Sequence, residues 1–266
     1  MRAFGNKPLV AGLAGAVLLF LYAPLLVMAF FSFNASEFTG LPFKGFTLSW
    51  YEKVLENETL MRSIGASVYV GIGTVILSML IGLPAAIALD RYEFPGKAAF
   101  RRIVMLPIVL PGVITGVSLL SFYITIGFRL SLNTIMLGQG TALTCIYVTE
   151  VFARLQQLGR SQEEAAFNLG ASQIETFFKV TLPNLKSAIF GTMLIVFSIS
   201  FDEIAVTYLL TGRENTLPMA LWSILRREAT PEINAVATLV IAFSIVLIVI
   251  GVVASRGKGL ASASKA

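Results

Sequence analysis

Six long apolar runs, almost free of charge, divide this chain at residues 8–33, 63–89, 103–128, 130–149, 187–211 and 233–255. A helix needs about 20 apolar residues to cross roughly 30 Å of hydrocarbon. The runs hold 20 to 27 residues each and lack the strict apolar/polar alternation of barrel strands. The pattern therefore predicts an all-α integral membrane protein with six transmembrane helices in one domain, residues 1–266. Two boundaries are tight. Arg129 alone separates the third and fourth runs, and Asp202–Glu203 interrupt the fifth. The first run exceeds the 7–15 residues of a secretory core, and no convincing cleavage site follows it, so it reads as an uncleaved span.

Composition fits this reading. Of 266 residues, 56% are hydrophobic and 13% charged, against about 25% charged in ordinary globular chains. There is too little polar surface to cover a soluble core. With no histidine and a single cysteine, Cys145, the chain has no means for His-based metal sites, Ser/His or Cys/His nucleophiles, or a disulfide framework. Cys145 reads as a small buried hydrophobe. The net charge of +5 reads as membrane orientation rather than nucleic-acid binding. With the amino terminus inside, thirteen Lys and Arg fall in inside segments and seven outside, which places both termini in the cytoplasm.

The segment 150–186 then faces the cytoplasm, with four basic and four acidic side chains. Ser161–Gln162–Glu163–Glu164 predicts a capping box, with Ser161 at N-cap and Glu164 reaching back. Its helix runs through Ala165, Ala166, Phe167 and Leu169 and stops at Gly170, a residue suited to the left-handed C′ position. Ser172–Gln173–Ile174–Glu175 predicts a second box. The helix it opens puts Ile174, Phe177, Phe178 and Leu182 on one side, and Pro183 ends or bends it. Such a knuckle leaves an apolar face needing a partner, either the chain's own helix ends or another protein.

Glu164-Ala165-Ala166, Gly170, Val180 and Leu182-Pro183, at this spacing, resemble the EAA loop of ABC importer permeases. The likeness extends over about residues 15–255. Tyr22-Ala23-Pro24, Phe31-Ser32-Phe33-Asn34, Trp50-Tyr51, Pro111–Gly116, Leu217-Pro218-Met219 and Thr230–Ala235 are similar to the second permease of spermidine/putrescine importers. The resemblance implies a type I ABC importer permease fold in a bacterial inner membrane. It implies that Glu164, Ala165, Ala166 and Gly170 form the coupling helix seated on a cytoplasmic ATPase, with Ile174, Phe177, Phe178, Leu182 and Pro183 in the same element. It also implies two copies of that ATPase, a related permease as heterodimer partner and a periplasmic substrate-binding protein. No G-x-x-x-x-G-K-[ST] loop is present, so ATP and Mg are expected on the partner, with no cofactor or enzymatic centre in this chain.

Asp202 and Glu203 are the charges hardest to place. An aspartate at a helix centre costs about 2.5–3.5 kcal/mol on insertion scales, so a polar cavity, a paired cation or a helix break is expected. Neighbours on a helix diverge by about 100°, so the two carboxylates are expected to take different roles. One reading is a cation route, with Asp202 or Glu203 meeting a protonated amine and Tyr208, Tyr123 or Trp222 as cation–π neighbours. The other is a structural ion pair or a helix end near water. Gly112 and Gly116 form a GxxxG, and Pro107 and Pro111 lie one turn apart; ordinary helix packing is the expected role there. Leu217, Leu221, Trp222 and Leu225 lie at helical spacing in the outer segment 213–232, which suits either a binding-protein contact or the membrane surface. The expected function is ATP-driven import of a small cationic solute. The rivals are an ATP-independent channel or secondary carrier, and an intramembrane enzyme using Asp202 and Glu203.

Overall fold

The computed structural model describes residues 7–227 and 231–256. Thr230 of the Thr230–Ala235 motif and the terminal cations Arg2, Lys258 and Lys265 lie outside them. The described residues form helices α1 (Lys7–Phe31), α2 (Ser49–Glu56), α3 (Glu58–Arg91), α4 (Lys97–Val109), α5 (Gly112–Thr125), α6 (Leu132–Leu158), α7 (Ser161–Asn168), α8 (Gln173–Thr176), α9 (Leu182–Asp202), α10 (Ala205–Leu210), α11 (Leu217–Arg227) and α12 (Glu232–Arg256). A π turn, Phe177–Thr181, joins α8 to α9. Among the described residues the only β pairing is one bridge between Asn34 and Phe46. Five helices are long and apolar enough to cross a membrane, and α4 with α5 makes a sixth span if the bent pair is counted as one.

The first, second and sixth expected spans are continuous helices. The other three depart from the expected limits. The third run is not one helix: α4 and α5 meet at an angle of 109°. At 1.5 Å per residue, 13 or 14 residues rise only about 20 Å, too short for either half to span alone. Pro111 lacks the N–H that would bond the turn before it, and its ring drives Leu110 into extended backbone at φ −78°, ψ 132°. Pro111 thus does more than ordinary packing, whereas Pro107 is carried inside α4. The fourth helix runs on to Leu158, nine residues past the expected end, so the connecting segment is shorter than 150–186. The fifth run begins early, at Leu182, and breaks at Glu203–Ile204 before α10.

The chain forms two compact units. One comprises Met1–Met61 with Leu221–Ser244. Its outer loop is organised by buried Asn34, which explains why Phe31–Asn34 and Trp50–Tyr51 stand out in the sequence. The Asn34 Oδ1 accepts the Lys44 N–H at 2.9 Å and the Ser36 N–H at 3.2 Å, while its amide donates to Gly40 O at 3.1 Å. Trp50 Nε1 donates to Asn34 O at 2.7 Å, and Ser32 and Tyr51 share a hydroxyl hydrogen bond of 2.7 Å.

The other unit, Arg62–Ala220 with Ile245–Ala266, holds the inter-span segment and the broken helices. Val75, Ala86 and Leu89 of α3 pack with Tyr147, Val148, Val151 and Leu155 of α6 and with Leu185 and Val196 of α9. A second cluster joins Val70 of α3 to Tyr123 of α5, Ile135 of α6, and Val206 and Leu210 of α10. Lipid is as apolar as these side chains, so association inside a bilayer rests on close packing and interhelical hydrogen bonds. Ser78 Oγ accordingly donates to Gly140 O at 3.0 Å.

The GxxxG of α5 faces α10. A Cβ on Gly116 would stand 3.3 Å from Val206 Cα and 3.4 Å from Ala205 O, both backbone atoms that cannot step aside. Replacing Gly116 with Leu should therefore destabilise the unit by about 1–3 kcal/mol, the usual range for overpacking, and Gly116→Ala by less. Thermal unfolding in detergent measures this; an unchanged midpoint for Gly116→Leu contradicts a tight α5–α10 seam.

Candidate functional sites in the inter-span knuckle and at the paired helix breaks

The knuckle begins with α7, and its first cap differs from the expected box. Arg160 occupies the N-cap and no side chain caps the helix. Ser161 is already helical, and the Glu164 N–H donates to Arg160 O at 2.9 Å. Glu164 is exposed, whereas Glu163, one residue earlier, turns toward the protein. Sequence spacing could not separate the two, because a one-residue shift of the helix start exchanges their faces. The far end agrees with expectation. Gly170 has φ +85°, its N–H donates to Phe167 O, and the Ala171 N–H donates to Ala166 O at 3.0 Å. This is a Schellman closure with the glycine at C′.

The second cap forms as expected. Ser172 Oγ accepts the Glu175 N–H at 3.3 Å, and Glu175 Oε2 accepts the Ser172 N–H at 3.1 Å. That backbone bond, with Lys179 3.2 Å away, holds the Glu175 carboxyl below its ordinary pKa. The π turn then changes the face. An i→i+5 turn inserts one residue into the helical register, so Leu182 falls out of the expected stripe, while Ile174, Phe177 and Phe178 line one cavity. Ile174 and Phe178 are exposed with Leu169, while Phe177 and Leu182 are half-buried; Pro183 neither ends nor interrupts the helical course Gln173–Asp202, and the π turn lies just before it. Ala165 is exposed and Ala166 half-buried. Beneath the knuckle a cavity of about 520 Å³ is lined by Arg91, Arg160, Glu163, Phe167, Ile174 and Phe177, among others.

The second site lies where both broken spans meet. A cavity of about 330 Å³ is lined by Pro107, Gly112 and Thr115 at the first break, Glu203 and Val206 at the second, and Cys145 of α6, among others. The half-buried Glu203 receives the Val206 N–H on Oε1 at 3.0 Å, satisfying a donor that the interruption would otherwise orphan. Its remaining lone pairs face a cavity whose other walls are mostly apolar. Asp202, the last residue of α9, is exposed and has no side-chain partner among the described residues. The divergence of the two carboxylates is therefore real, and Glu203 combines capping with the cavity position. Tyr208 is exposed and does not line this cavity. Tyr123 is buried against Phe128, and Trp222 carries the Arg226 guanidinium 5.0 Å above its ring, in the other unit.

Gln139 was not singled out in the sequence. Its Nε2 donates to Thr207 Oγ1 at 2.8 Å and its Oε1 accepts from Ser200, so one buried α6 side chain ties α9 and α10 across their break. A glutamine amid a small-residue helix offers no spacing signal; its role exists only through partners more than 60 positions away.

Comparisons with known proteins place this architecture. Residues 78–260 match the family described as "Binding-protein-dependent transport system inner membrane component". The chain is 34% identical over 84% of its length to the putrescine transport system permease protein PotI of Escherichia coli (strain K12), covering 82% of that protein. It is 32% identical over 89% of its length to the spermidine/putrescine transport system permease protein PotC of Haemophilus influenzae, covering 92% of it. A solved bacterial ABC transporter involved in import of the acidic polysaccharide alginate shares the fold, with TM-score 0.69 at 18% identity over 97% of this chain and 99% of that one. With five or six candidate spans in an all-helical architecture, the family match over residues 78–260 and these relatives show that the chain belongs to the family of inner-membrane permease components of binding-protein-dependent ABC importers.

Proposed function

We propose that this permease carries a small cationic solute, a polyamine such as putrescine or spermidine, from periplasm to cytoplasm by alternating access across a bacterial inner membrane. The observation that carries the substrate class is Glu203 in the cavity between the two helix breaks. A carboxylate in that low-dielectric setting attracts a protonated amine strongly and repels an anion. The names of the two polyamine permeases at 32% and 34% identity support the same class. The excess of inside cations supports both termini in the cytoplasm. The partners are a related permease, two copies of an ATPase that binds ATP and Mg, and a periplasmic binding protein.

The knuckle is the proposed ATPase contact. Leu169, Ile174 and Phe178 are exposed apolar side chains at 90%, 72% and 61%, on a segment that the positive-inside rule puts in the cytoplasm. Seating them in a groove removes that surface from water. Glu164, Ala165, Ala166 and Gly170 belong to the same docking element.

Three outcomes test this reading in proteoliposomes holding the partner permease, ATPase and binding protein. Uptake of labelled putrescine should require ATP, and Glu203→Gln, which keeps an acceptor for the Val206 N–H but not the charge, should cut uptake about tenfold or more. Asp202→Asn should have the smaller effect; the reverse order would move the site to Asp202.

At Gly170 a Cβ meets no neighbour within 4 Å, so a substitution costs only backbone strain, about 1–2 kcal/mol at φ +85°. Gly170→Val should therefore lose ATP-linked uptake with membrane insertion intact, and Gly170→Asn should retain most of it. Equal uptake from wild type and Gly170→Val would exclude the knuckle from coupling.

The Glu175 cap has a defined pH dependence. Its folded pKa is depressed, so the stabilisation is present above the unfolded carboxylate value and is lost as pH falls through the lower folded value. Amide exchange at residues 172–176 should accelerate below the carboxylate range in the wild type. In Glu175→Gln it should be pH-independent beyond the intrinsic rate; identical profiles would remove Glu175 as the cause.

A further inference from the structure

Helix α7 is bound to the rest of its unit in an unusual way. None of its eight residues is buried, and Phe167 is 43% exposed, so apolar packing holds it only weakly. Its attachment is polar instead. Arg91, the last residue of α3, places Nη2 2.8 Å from Glu163 Oε1, and the same oxygen accepts Thr181 Oγ1 of the π turn at 2.6 Å. The other arm of Arg91 pairs with Asp90, which in turn accepts the side-chain amide of Gln156 of α6. Arg160, in the connector, donates to Asp90 O at 2.8 Å. Side-chain exposures of 15%, 13% and 3% for Arg91, Glu163 and Asp90 show that water scarcely screens these three, while Arg160 and Gln156 at the rim are exposed. One shielded guanidinium faces two carboxylates, with Arg160 on the backbone carbonyl of Asp90, and the cluster bonds α3, α6, α7 and the π turn to one another.

Helix α3 is a 34-residue rod that keeps a continuous helical course through Pro84, about 50 Å long at 1.5 Å per residue. Arg91 is at one end. Toward the other, Val70 packs in the cluster with Tyr123, Val206 and Leu210, beside the Glu203 break. Ser67 Oγ, one turn further, accepts the Leu217 N–H at 2.8 Å. The rod therefore connects the root of the knuckle to the wall of the broken spans. Apolar surfaces can slide over one another, whereas a directional ion pair with fixed hydrogen bonds resists displacement.

We propose that Arg91 and Glu163 are positioning residues for transport: their ion pair is the linkage through which displacement of the knuckle moves α3, and α3 moves the cavity wall at the helix breaks. This inference rests on the reading of the knuckle as the ATPase contact. Loss of the pair leaves the ATPase able to dock and turn over while its motion fails to reach the pathway. The expected signature is uncoupling, and not loss of assembly.

The experiment uses the complete transporter in proteoliposomes, in a Cys145→Ala background, with Leu169→Cys as a crosslinking probe to the ATPase. Arg91→Glu, Glu163→Arg and the double reversal are compared with Glu163→Gln, a mild variant that preserves shape and keeps a hydrogen-bond acceptor. Single reversals should keep the crosslink and ATP hydrolysis, while solute moved per ATP falls about tenfold, within the coupling seen for contacting residues. The double reversal should recover most of that ratio, and Glu163→Gln should lose a smaller part of it. A wild-type ratio in Glu163→Gln and both single reversals overturns the proposal. So does a double reversal with the summed loss of the two singles. If the reversals fail to assemble, Glu163→Gln decides alone, by the same ratio. Absence of the Leu169→Cys crosslink with otherwise wild-type residues overturns the docking reading instead, so the two failures are distinguishable.

Discussion

Backbone polar groups inside a bilayer must find partners within the protein, because lipid offers none, and this constraint governs the helix interruptions of this permease. An unpaired amide or hydroxyl in an apolar medium costs several kcal/mol. The break in the fifth span is tolerable because Glu203 takes the Val206 N–H and Gln139 holds Ser200 and Thr207 on either side. The third span uses Pro111, which has no N–H to orphan, and the glycines that follow it bring α5 against α10. Each interruption is thus satisfied by a different device, and together they leave a cavity with a charged wall in the middle of an apolar chain.

The same economy of partners explains how the two sites relate. Inside the span region, cohesion comes from packed Val, Leu and Tyr side chains of α3, α6 and α9. At the knuckle it comes from charge, where Arg91, Asp90, Glu163 and Arg160 replace a core that α7 cannot form. Packing fixes distances between helices. The ion-pair cluster fixes directions, and it does so at the end of α3, which reaches the broken spans through Val70 as α6 does through Gln139.

Much of this was legible in the linear pattern. Charge-free runs located the membrane helices, and a glycine between two short amphipathic stretches located the knuckle with its left-handed closure. The Ser172–Glu175 cap followed from spacing alone, since both partners lie within one turn. The Ser161–Glu164 cap did not, because two adjacent glutamates give the same local signal and Arg91, 72 residues away, selects Glu163. The expected stripe of Ile174, Phe177 and Phe178 lost Leu182 for a related reason. A π turn has no marker in the periodicity, and one added residue rotates everything beyond it.

Local chemistry thus settled what depends on near neighbours: where the apolar runs lie, the helix stop at Gly170, the second cap, and the certainty that two carboxylates in an apolar run need compensation. Tertiary structure alone decided how that compensation is made. Whether Pro107 and Pro111 bend a helix or break it, which carboxylate meets the cavity, and why Gln139 matters all depend on groups distant in sequence and adjacent in space. In a medium without water, only those contacts can satisfy a polar atom that its own helix has released.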